Sequence, residues 1–250
     1  MVNLETVKLL LTVISGLCWT IVYLDGIRVG FLDRSYAIPF YALALNFAWE
    51  LLYTYHGFRI NGVDAQNIFN AAWLTLDIGI LYTYFRFGRR YGGRFFNPPA
   101  TAGGTDKSPP AKLRTLTQPL PEGEEKNNTA FAFIGWSVLG ITTAFAVQYA
   151  VIREFGVAKG AAYSAFPQNL IMSILFIAML AKRGSREGQT ILIAVSKWIG
   201  TLAPTILFGV IGQGGFPQGS FLILTVGLLC SMFDVIYIWL LTKTAEMRSG

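Results

Sequence analysis

Seven apolar stretches, separated by more polar segments, constrain this chain more than any other feature of its sequence. Each is close to the ~20 residues that a tilted helix needs to cross about 30 Å of hydrocarbon. Charged residues make up only 14% of the chain, whereas a soluble domain carries about 25%. The sequence therefore predicts an all-α, polytopic membrane protein, with a bundle of seven transmembrane helices forming one domain over residues 1–250. The stretches occupy residues 7–23, 37–55, 65–87, 129–152, 161–181, 190–211 and 219–241.

The distribution of Lys and Arg predicts how these helices are oriented. With an external N-terminus, fifteen basic residues fall on inner loops and the C-terminal tail, and four fall on the outer side. This is a strong positive-inside bias, and it agrees with an odd number of spans. Nucleic-acid binding is not indicated, because the basic residues are spread over loops without interleaved base-stacking aromatics.

Two loops differ from the short connections elsewhere. Residues 88–128 are rich in Pro, Gly and charged residues and contain little apolar material, which predicts a flexible cytosolic linker. Residues 212–220 carry no charge, and the sequence leaves open whether they cover the mouth of the bundle as a lid or form an ordinary turn.

Nine polar or ionisable side chains lie within the apolar stretches, and three of them are acids. A charge at bilayer depth costs about 2.5–3.5 kcal/mol on insertion scales, so such residues usually face a protein interior and serve a function. The pattern favours chemistry or transport inside the membrane over simple anchoring. The nine are Asn46, Glu50, Asn70, Asp77, Gln148, Gln168, Asn169, Lys197 and Asp234.

Glu50 is the first candidate for catalysis. On a helix, Asn46 lies one turn before it and Tyr53 about one turn after it, while Trp49 adds aromatic surface. Apolar and aromatic surroundings favour the uncharged carboxyl, so Glu50 can hold a proton at neutral pH, as a general acid requires. The alternative is a glutamic acid that only forms a hydrogen bond between helices.

Other buried polar residues suggest a second acid and an internal ion pair. Asp234 is expected to share the cavity of Glu50, on the order of 10 Å away along the membrane normal, so that an extended substrate meets one acid near each end. Asp77 and Lys197 are interpreted as an intramembrane ion pair. Gln168 and Asn169 offer uncharged hydrogen bonds to a cavity.

Several kinds of site cannot be assembled from this sequence. It has one histidine, two cysteines in apolar stretches, no aspartate-rich metal motif and no Gly-rich phosphate loop. We therefore predict no bound metal and no cofactor.

At these residues the chain resembles the small integral-membrane terpene cyclases of fungal meroterpenoid and indole-diterpene pathways. The resemblance covers most of the chain: its length, its seven helices, Trp49-Glu50 in the second helix, and Phe233-Asp234 followed by Tyr237 in the last. It implies that Glu50 and Asp234 are the catalytic acids. The linker at 88–128 departs from the compact form of the family.

The resemblance also implies an activity and its partners. A protonated carboxyl activates a terminal epoxide or alkene of a hydrophobic prenylated substrate, rings close through carbocations, and no metal takes part; the enzyme is of the isomerase or lyase type. It implies contact with membrane lipid, a pathway oxygenase and prenyltransferase in the same membrane, and the endoplasmic reticulum as location if the chain is fungal. The residues expected to contact substrate are Asn46, Trp49, Tyr53, Trp73, Asp77, Gln168, Asn169, Phe233 and Tyr237, with Tyr82 as a further aromatic candidate.

Other functions remain open on the sequence alone. Pro167-Gln168 and Pro217-Gln218 resemble the repeated motif of PQ-loop carriers, which predicts a proton-coupled small-molecule transporter. A retinal-binding photoreceptor fits less well, because the buried lysine lies in the sixth stretch and not in the last. A structural adaptor does not explain three buried acids.

Overall fold

The computed structural model of the chain describes residues 3–89, 91 and 122–249, and these residues form six helices. Helix α5 continues into one π-helical turn at Leu207–Ile211. The described residues contain no strand, only an isolated bridge between Gln213 and Phe216. The helices are α1 (Leu4–Leu32), α2 (Phe40–Asn61), α3 (Ala65–Phe87), α4 (Glu122–Arg183), α5 (Ile191–Ile206) and α6 (Phe221–Ser249).

Helix α4 reverses its direction at Gly156. This residue has φ 72° and ψ 172°, a conformation that only glycine adopts without strain. The side chain of Gln148 donates from Nε2 to Oε1 of Gln168 at 2.7 Å, so residues on opposite sides of Gly156 lie next to each other. Helix α4 therefore consists of two limbs, and the described residues form seven helical segments.

The helices form a closed ring, which explains how a bundle of this size can enclose a cavity. Around the ring, α1 packs against α3, α3 against α2, α2 against α4, α4 against α6, α6 against α5, and α5 against α1. Each helix has two principal neighbours in the ring. As a result, α3 does not pack against α5 or α6, and this separation decides which buried charges can meet.

Different loops lie at the two ends of the ring. At the inner end, the 184–190 loop is tied to the α1–α2 connection. Gly188 donates its backbone N–H to Asp33 Oδ2 at 2.7 Å, and Arg183 donates from Nη2 to the carbonyl of Tyr36 at 3.0 Å. The outer end holds the start of α1, the α2–α3 turn, Gly156 and the 212–220 loop. The names inner and outer follow the orientation that the basic residues predict.

Within the described part of the chain, five helical segments are long and apolar enough to cross a membrane: Leu4–Leu32, Gln66–Phe87, Ala130–Arg183, Ile191–Ile211 and Phe221–Thr244. The difference from the predicted seven has two physical reasons. Polar residues such as Asn46 and Glu50 lower the hydropathy of α2. The two limbs of α4 count as one segment, Ala130–Arg183, although its 54 residues, at about 1.5 Å each, exceed twice the thickness of a bilayer core. Large apolar side chains such as Leu17, Ile78 and Trp239 face outward, as lipid contact requires.

The predicted linker lies largely outside the described residues. Helix α4 begins at Glu122, so its first residues occupy the C-terminal part of the segment 88–128. This part contains three Glu and one Lys, and both residue types have good helix propensity. The predicted linker and the start of α4 therefore overlap at residues 122–128.

Candidate active site

A cavity of about 610 Å³ lies inside the ring, which is within the usual range of ligand pockets. Its outer mouth is lined by polar residues, among them Lys8, Asp64 and Gln213, and its inner part reaches Tyr23 and Glu50. Lys8 and Tyr23 are both on α1, and the rise of an α-helix places them about 22 Å apart along its axis. The cavity is therefore a long, narrow site that leads from one end of the bundle to a buried acid.

Glu50 lies at the inner part of this cavity and is 1% exposed. Its Oε1 atom accepts hydrogen bonds from the hydroxyl of Tyr23 and from Nδ2 of Asn46, the latter at 2.8 Å. The prediction that Asn46 and Glu50 share one helix face is confirmed. Tyr23 comes from α1, so this hydrogen bond joins α1 to α2.

A chain of side-chain amides holds Asn46 in position. Gln148 donates to Gln168, and Gln168 donates from Nε2 to Oδ1 of Asn46 at 3.4 Å. Because Oδ1 of Asn46 is an acceptor in this chain, its Nδ2 atom must point the other way, toward the carboxyls. Two limbs of α4 thus orient a residue of α2 that contacts Glu50.

Asp77 is the second carboxyl at this point. It is fully buried on α3, and its Oδ2 atom accepts a hydrogen bond from Asn46 Nδ2 at 3.1 Å. It does not line the cavity. The predicted ion pair of Asp77 with Lys197 is wrong, because α3 and α5 are not neighbours in the ring.

Lys197 pairs instead with Asp234 on the adjacent helix α6. Its Nζ atom lies 2.7 Å from Oδ1 and 2.9 Å from Oδ2 of Asp234, and 2.6 Å from Oγ of Ser173. Asp234 does not line the cavity that contains Glu50, so the expectation of two acids in one cavity is not met.

The other candidates on α6 and α3 also lie away from the cavity. Phe233 and Tyr237 do not line it, and the hydroxyl of Tyr237 donates to Oε1 of Gln189 at 2.7 Å. Tyr82 is 55% exposed on the outer surface of the bundle, so it is not part of an inner aromatic wall.

Most of the remaining predicted contact residues are brought together at the cavity. Its wall includes the side chains of Trp49, Tyr53, Trp73, Gln168 and Asn169. These residues come from α2, α3 and α4, which pack against one another in the order α3, α2, α4.

The indole N–H groups of Trp49 and Trp73 in this wall donate hydrogen bonds to acceptors of the protein. Trp49 donates from Nε1 to the carbonyl of Ala161 at 3.0 Å, and Trp73 donates to Oγ1 of Thr20 at 3.2 Å. Trp73 also stacks on Tyr23, with ring centroids 6.3 Å apart and an angle of 12° between the ring planes. The aromatic groups are thus held in fixed orientations.

The wall also includes residues that were not identified from the sequence, among them Trp19, Tyr23, Phe69 and Thr201. Trp19 and Tyr23 are four residues apart, and this spacing on one face of α1 was a signal that could have found them. Thr201 is 2% exposed, and its hydroxyl has no hydrogen-bond partner among the described residues. It lies one helical turn after Lys197.

The described residues hold no group of three or more His, Cys, Asp or Glu side chains arranged to bind a metal ion. What the cavity does offer is a buried carboxyl at the inner end of a largely apolar channel with aromatic walls. Such an arrangement can deliver a proton to an apolar substrate while water is kept out.

The family model for Pyr4-like transmembrane terpene cyclases matches residues 2–94 and 121–247. The unmatched residues 95–120 fall within the predicted linker. No solved structure matches the chain.

Several fungal proteins are similar to this chain over most of its length. The Pyr4-family terpene cyclase mfmH of Annulohypoxylon moriforme is 28% identical over 200 residues, which is 79% of this chain and 68% of that protein. The terpene cyclase macJ of Penicillium terrestre is 25% identical over 224 residues, covering 85% and 74%. The terpene cyclase pyr4 of Aspergillus fumigatus is 24% identical over 235 residues, covering 92% and 83%. Since the family model matches nearly all of the chain outside the linker, this chain belongs to the Pyr4-like transmembrane terpene cyclases.

Proposed function

We propose that Glu50 starts a polyene cyclisation by protonating the terminal epoxide or alkene of a prenylated substrate of the meroterpenoid or indole-diterpene class. The observation that carries this proposal is the position of Glu50: buried, bound by Tyr23 and Asn46, and facing the inner part of a cavity of about 610 Å³. The transporter alternative is not favoured, because the family match is to cyclases.

The substrate enters this cavity with its prenyl tail first. The mouth carries polar side chains such as Lys8, Asp64 and Gln66, which suit a polar head group, whereas the inner part is lined by Trp19, Trp73 and other apolar groups. In this orientation the terminal epoxide or alkene reaches Glu50 while the head group stays at the outer end.

The reaction conserves all atoms of the substrate. The O–H bond of Glu50 breaks, and its proton moves to the epoxide oxygen; the C–O bond then opens, its electron pair stays on oxygen as a hydroxyl, and a carbocation forms on carbon. Successive alkene π bonds attack the cation and close rings until a base removes a final proton. The product is an isomer of the substrate, which makes the enzyme isomerase-like, and the protein supplies the acid without a metal ion.

The aromatic wall stabilises the cationic intermediates. A cation over the face of an aromatic ring gains about 0.5–2 kcal/mol, and Trp49 and Tyr53 line the cavity on the same helix as Glu50. A largely apolar wall also protects the cation from capture by water.

Asp234 acts indirectly in this proposal. It neutralises Lys197, which also contacts Ser173, and Ser173 in turn donates to the backbone carbonyl of Asn169, a residue of the cavity wall. We therefore assign Asp234 the role of a positioning residue that fixes α4, α5 and α6 around the site.

All seven helical segments are proposed to cross the membrane, including α2 and both limbs of α4. The reversal at Gly156 and the gathering of inner loops at one end support this topology. We place the protein in the endoplasmic reticulum membrane, beside the oxygenase and prenyltransferase that supply its substrate.

The experiment is an assay of membranes that contain the full chain, with epoxidised and non-epoxidised prenylated aromatic substrates and a metal chelator. We expect an isomer of unchanged mass, and its formation should fall by about 10²–10⁴-fold in Glu50→Gln, the usual contribution of a general acid. Glu154→Gln is the matched control, because Glu154 is exposed and outside the cavity. A folded Glu50→Gln protein with full activity would contradict the proposal. Absence of any conversion together with pH-dependent uptake into vesicles would favour a transporter.

A further inference from the structure

Asp77 is a buried carboxyl to which the cyclisation chemistry above gives no role. It is 0% exposed and does not line the cavity, so it cannot touch a substrate there. Helix α3 packs against α1 and α2, and this places Asp77 behind Glu50 as seen from the cavity, next to Asn46 and Tyr23.

The donors near Glu50 and Asp77 carry too few hydrogen atoms to satisfy two ionised carboxylates. Nδ2 of Asn46 carries two hydrogens but faces three acceptors: the Tyr23 hydroxyl oxygen, Glu50 Oε1 and Asp77 Oδ2. Glu50 Oε2 and Asp77 Oδ1 have no donor among the described residues, although both carboxyls lie within hydrogen-bond distance of the same Asn46 Nδ2 atom. A proton held between the carboxyls would supply the missing donor.

The charged groups around Glu50 and Asp77 also indicate that the two carboxyls hold a proton. No cation within the described part of the chain contacts either carboxyl, and the cationic Lys197 is bound to Asp234. The groups that bind the two acids are the phenol of Tyr23 from α1 and the uncharged amide of Asn46 from α2. Two adjacent carboxylates in a medium of low polarity repel strongly, and carboxyl pairs in such sites share a proton.

We propose that Glu50 and Asp77 share one buried proton, and that Asp77 is a positioning residue that keeps this proton available on the carboxyl facing the cavity. The inference rests on the proposed role of Glu50. The proton leaves only through Glu50, whose oxygen keeps the electron pair of the broken O–H bond. Tyr23 and Asn46 then donate to the new carboxylate, and a proton from the final deprotonation or from solvent restores the pair.

The test combines infrared spectroscopy with steady-state kinetics on the purified full chain in lipid nanodiscs. The shared proton should give a protonated-carboxyl carbonyl band that shifts in D₂O and is absent from Glu50→Gln. Asp77→Asn should move this band, lower kcat by about tenfold or more and leave KM within about twofold, since Asp77 makes no substrate contact. The matched control is Asp25→Asn, because Asp25 is a buried carboxyl outside the cavity. This variant should leave the band and kcat unchanged.

Asp77→Glu keeps the proposal falsifiable if Asp77→Asn fails to fold. It retains the second carboxyl, so it should keep the band and recover more of kcat than Asp77→Asn does. A folded Asp77→Asn with an unchanged band and unchanged kcat would overturn the inference, as would a folded Asp77→Glu with no activity. If Glu50→Gln itself stays active, the proposed function fails; if only Asp77→Asn is fully active, the shared proton alone is rejected.

Discussion

Lys197 and Asp234 form an ion pair inside the bundle, with Nζ of Lys197 2.7 Å from Oδ1 and 2.9 Å from Oδ2 of the carboxylate. Neither residue is more than 1% exposed. The pair joins α5 to α6, and Ser173 of α4 completes the hydrogen bonds of the ammonium group. The buried ion pair and the hydroxyl of Ser173 thus connect three helices.

We expect the single variants Asp234→Asn and Lys197→Met to be destabilised by about 3–5 kcal/mol, because each leaves an uncompensated buried charge. The double variant Lys197→Met with Asp234→Leu should regain most of that stability, since no charge remains. Thermal unfolding in detergent measures these differences. The cyclase assay then separates two roles: recovery of activity in the double variant supports a positioning role, whereas a stable but inactive double variant shows that the Asp234 carboxyl itself takes part in the reaction.

The hydroxyl of Tyr23 donates to Glu50, and Tyr23→Phe removes it without removing the ring that stacks on Trp73. We expect kcat to fall by about tenfold, because the carboxylate left after proton transfer loses a donor, while KM changes little. Tyr84→Phe is the control: it also removes a hydrogen bond, to Ser137, but outside the cavity. Equal losses of kcat in both variants would contradict a specific role for Tyr23.

The sequence predicted contacts within one helix better than contacts between different helices. Asn46 and Glu50 are one helical turn apart, so their contact follows from helix geometry alone, and it is confirmed. The partner of Lys197 depends on which helices are neighbours, and hydropathy does not contain this information. The ring order places α5 beside α6, and for this reason Lys197 meets Asp234 and not Asp77.

The same distinction applies to the fold. Helical content and the position of most apolar segments follow from composition and periodicity. The sequence also predicted a break between the apolar stretches 129–152 and 161–181, and the reversal of α4 at Gly156 lies within this break. Tyr23 was missed because its contact with Glu50 joins two different helices and is not visible in the sequence of α1 alone.

Residues 95–120 are expected to be dispensable for catalysis, because the family model aligns on both sides of them and not within them. The end of α3 and the first limb of α4 are close, since the ring of Tyr84 stacks on that of Phe133 at 5.1 Å. Replacement of this segment by about ten Gly and Ser residues, which span roughly 16–19 Å as a flexible chain, should leave the melting temperature and the cyclase rate nearly unchanged. If the variant with the Gly and Ser replacement folds but is inactive, residues 95–120 contribute to the reaction.

Trp49 is the aromatic residue for which a contribution to cation stabilisation can be tested most directly. Its N–H is bound by the carbonyl of Ala161, and its ring lines the cavity next to Glu50 in sequence. Trp49→Leu removes the π face and should lower kcat by roughly 2- to 30-fold, the equivalent of about 0.5–2 kcal/mol. It should also raise the share of partly cyclised products, because a less stable cation is captured earlier. Trp49→Phe keeps a π face and should retain more activity.

The control for this variant is Trp136→Leu, since Trp136 is 48% exposed and lies outside the cavity. It should leave both the rate and the product pattern unchanged. Product analysis by mass spectrometry of each variant, at matched amounts of folded protein, provides the measurement. If Trp49→Leu and Trp49→Phe lose the same activity with no early-capture products, the ring of Trp49 only fills space, and the cation must be stabilised by other residues of the wall.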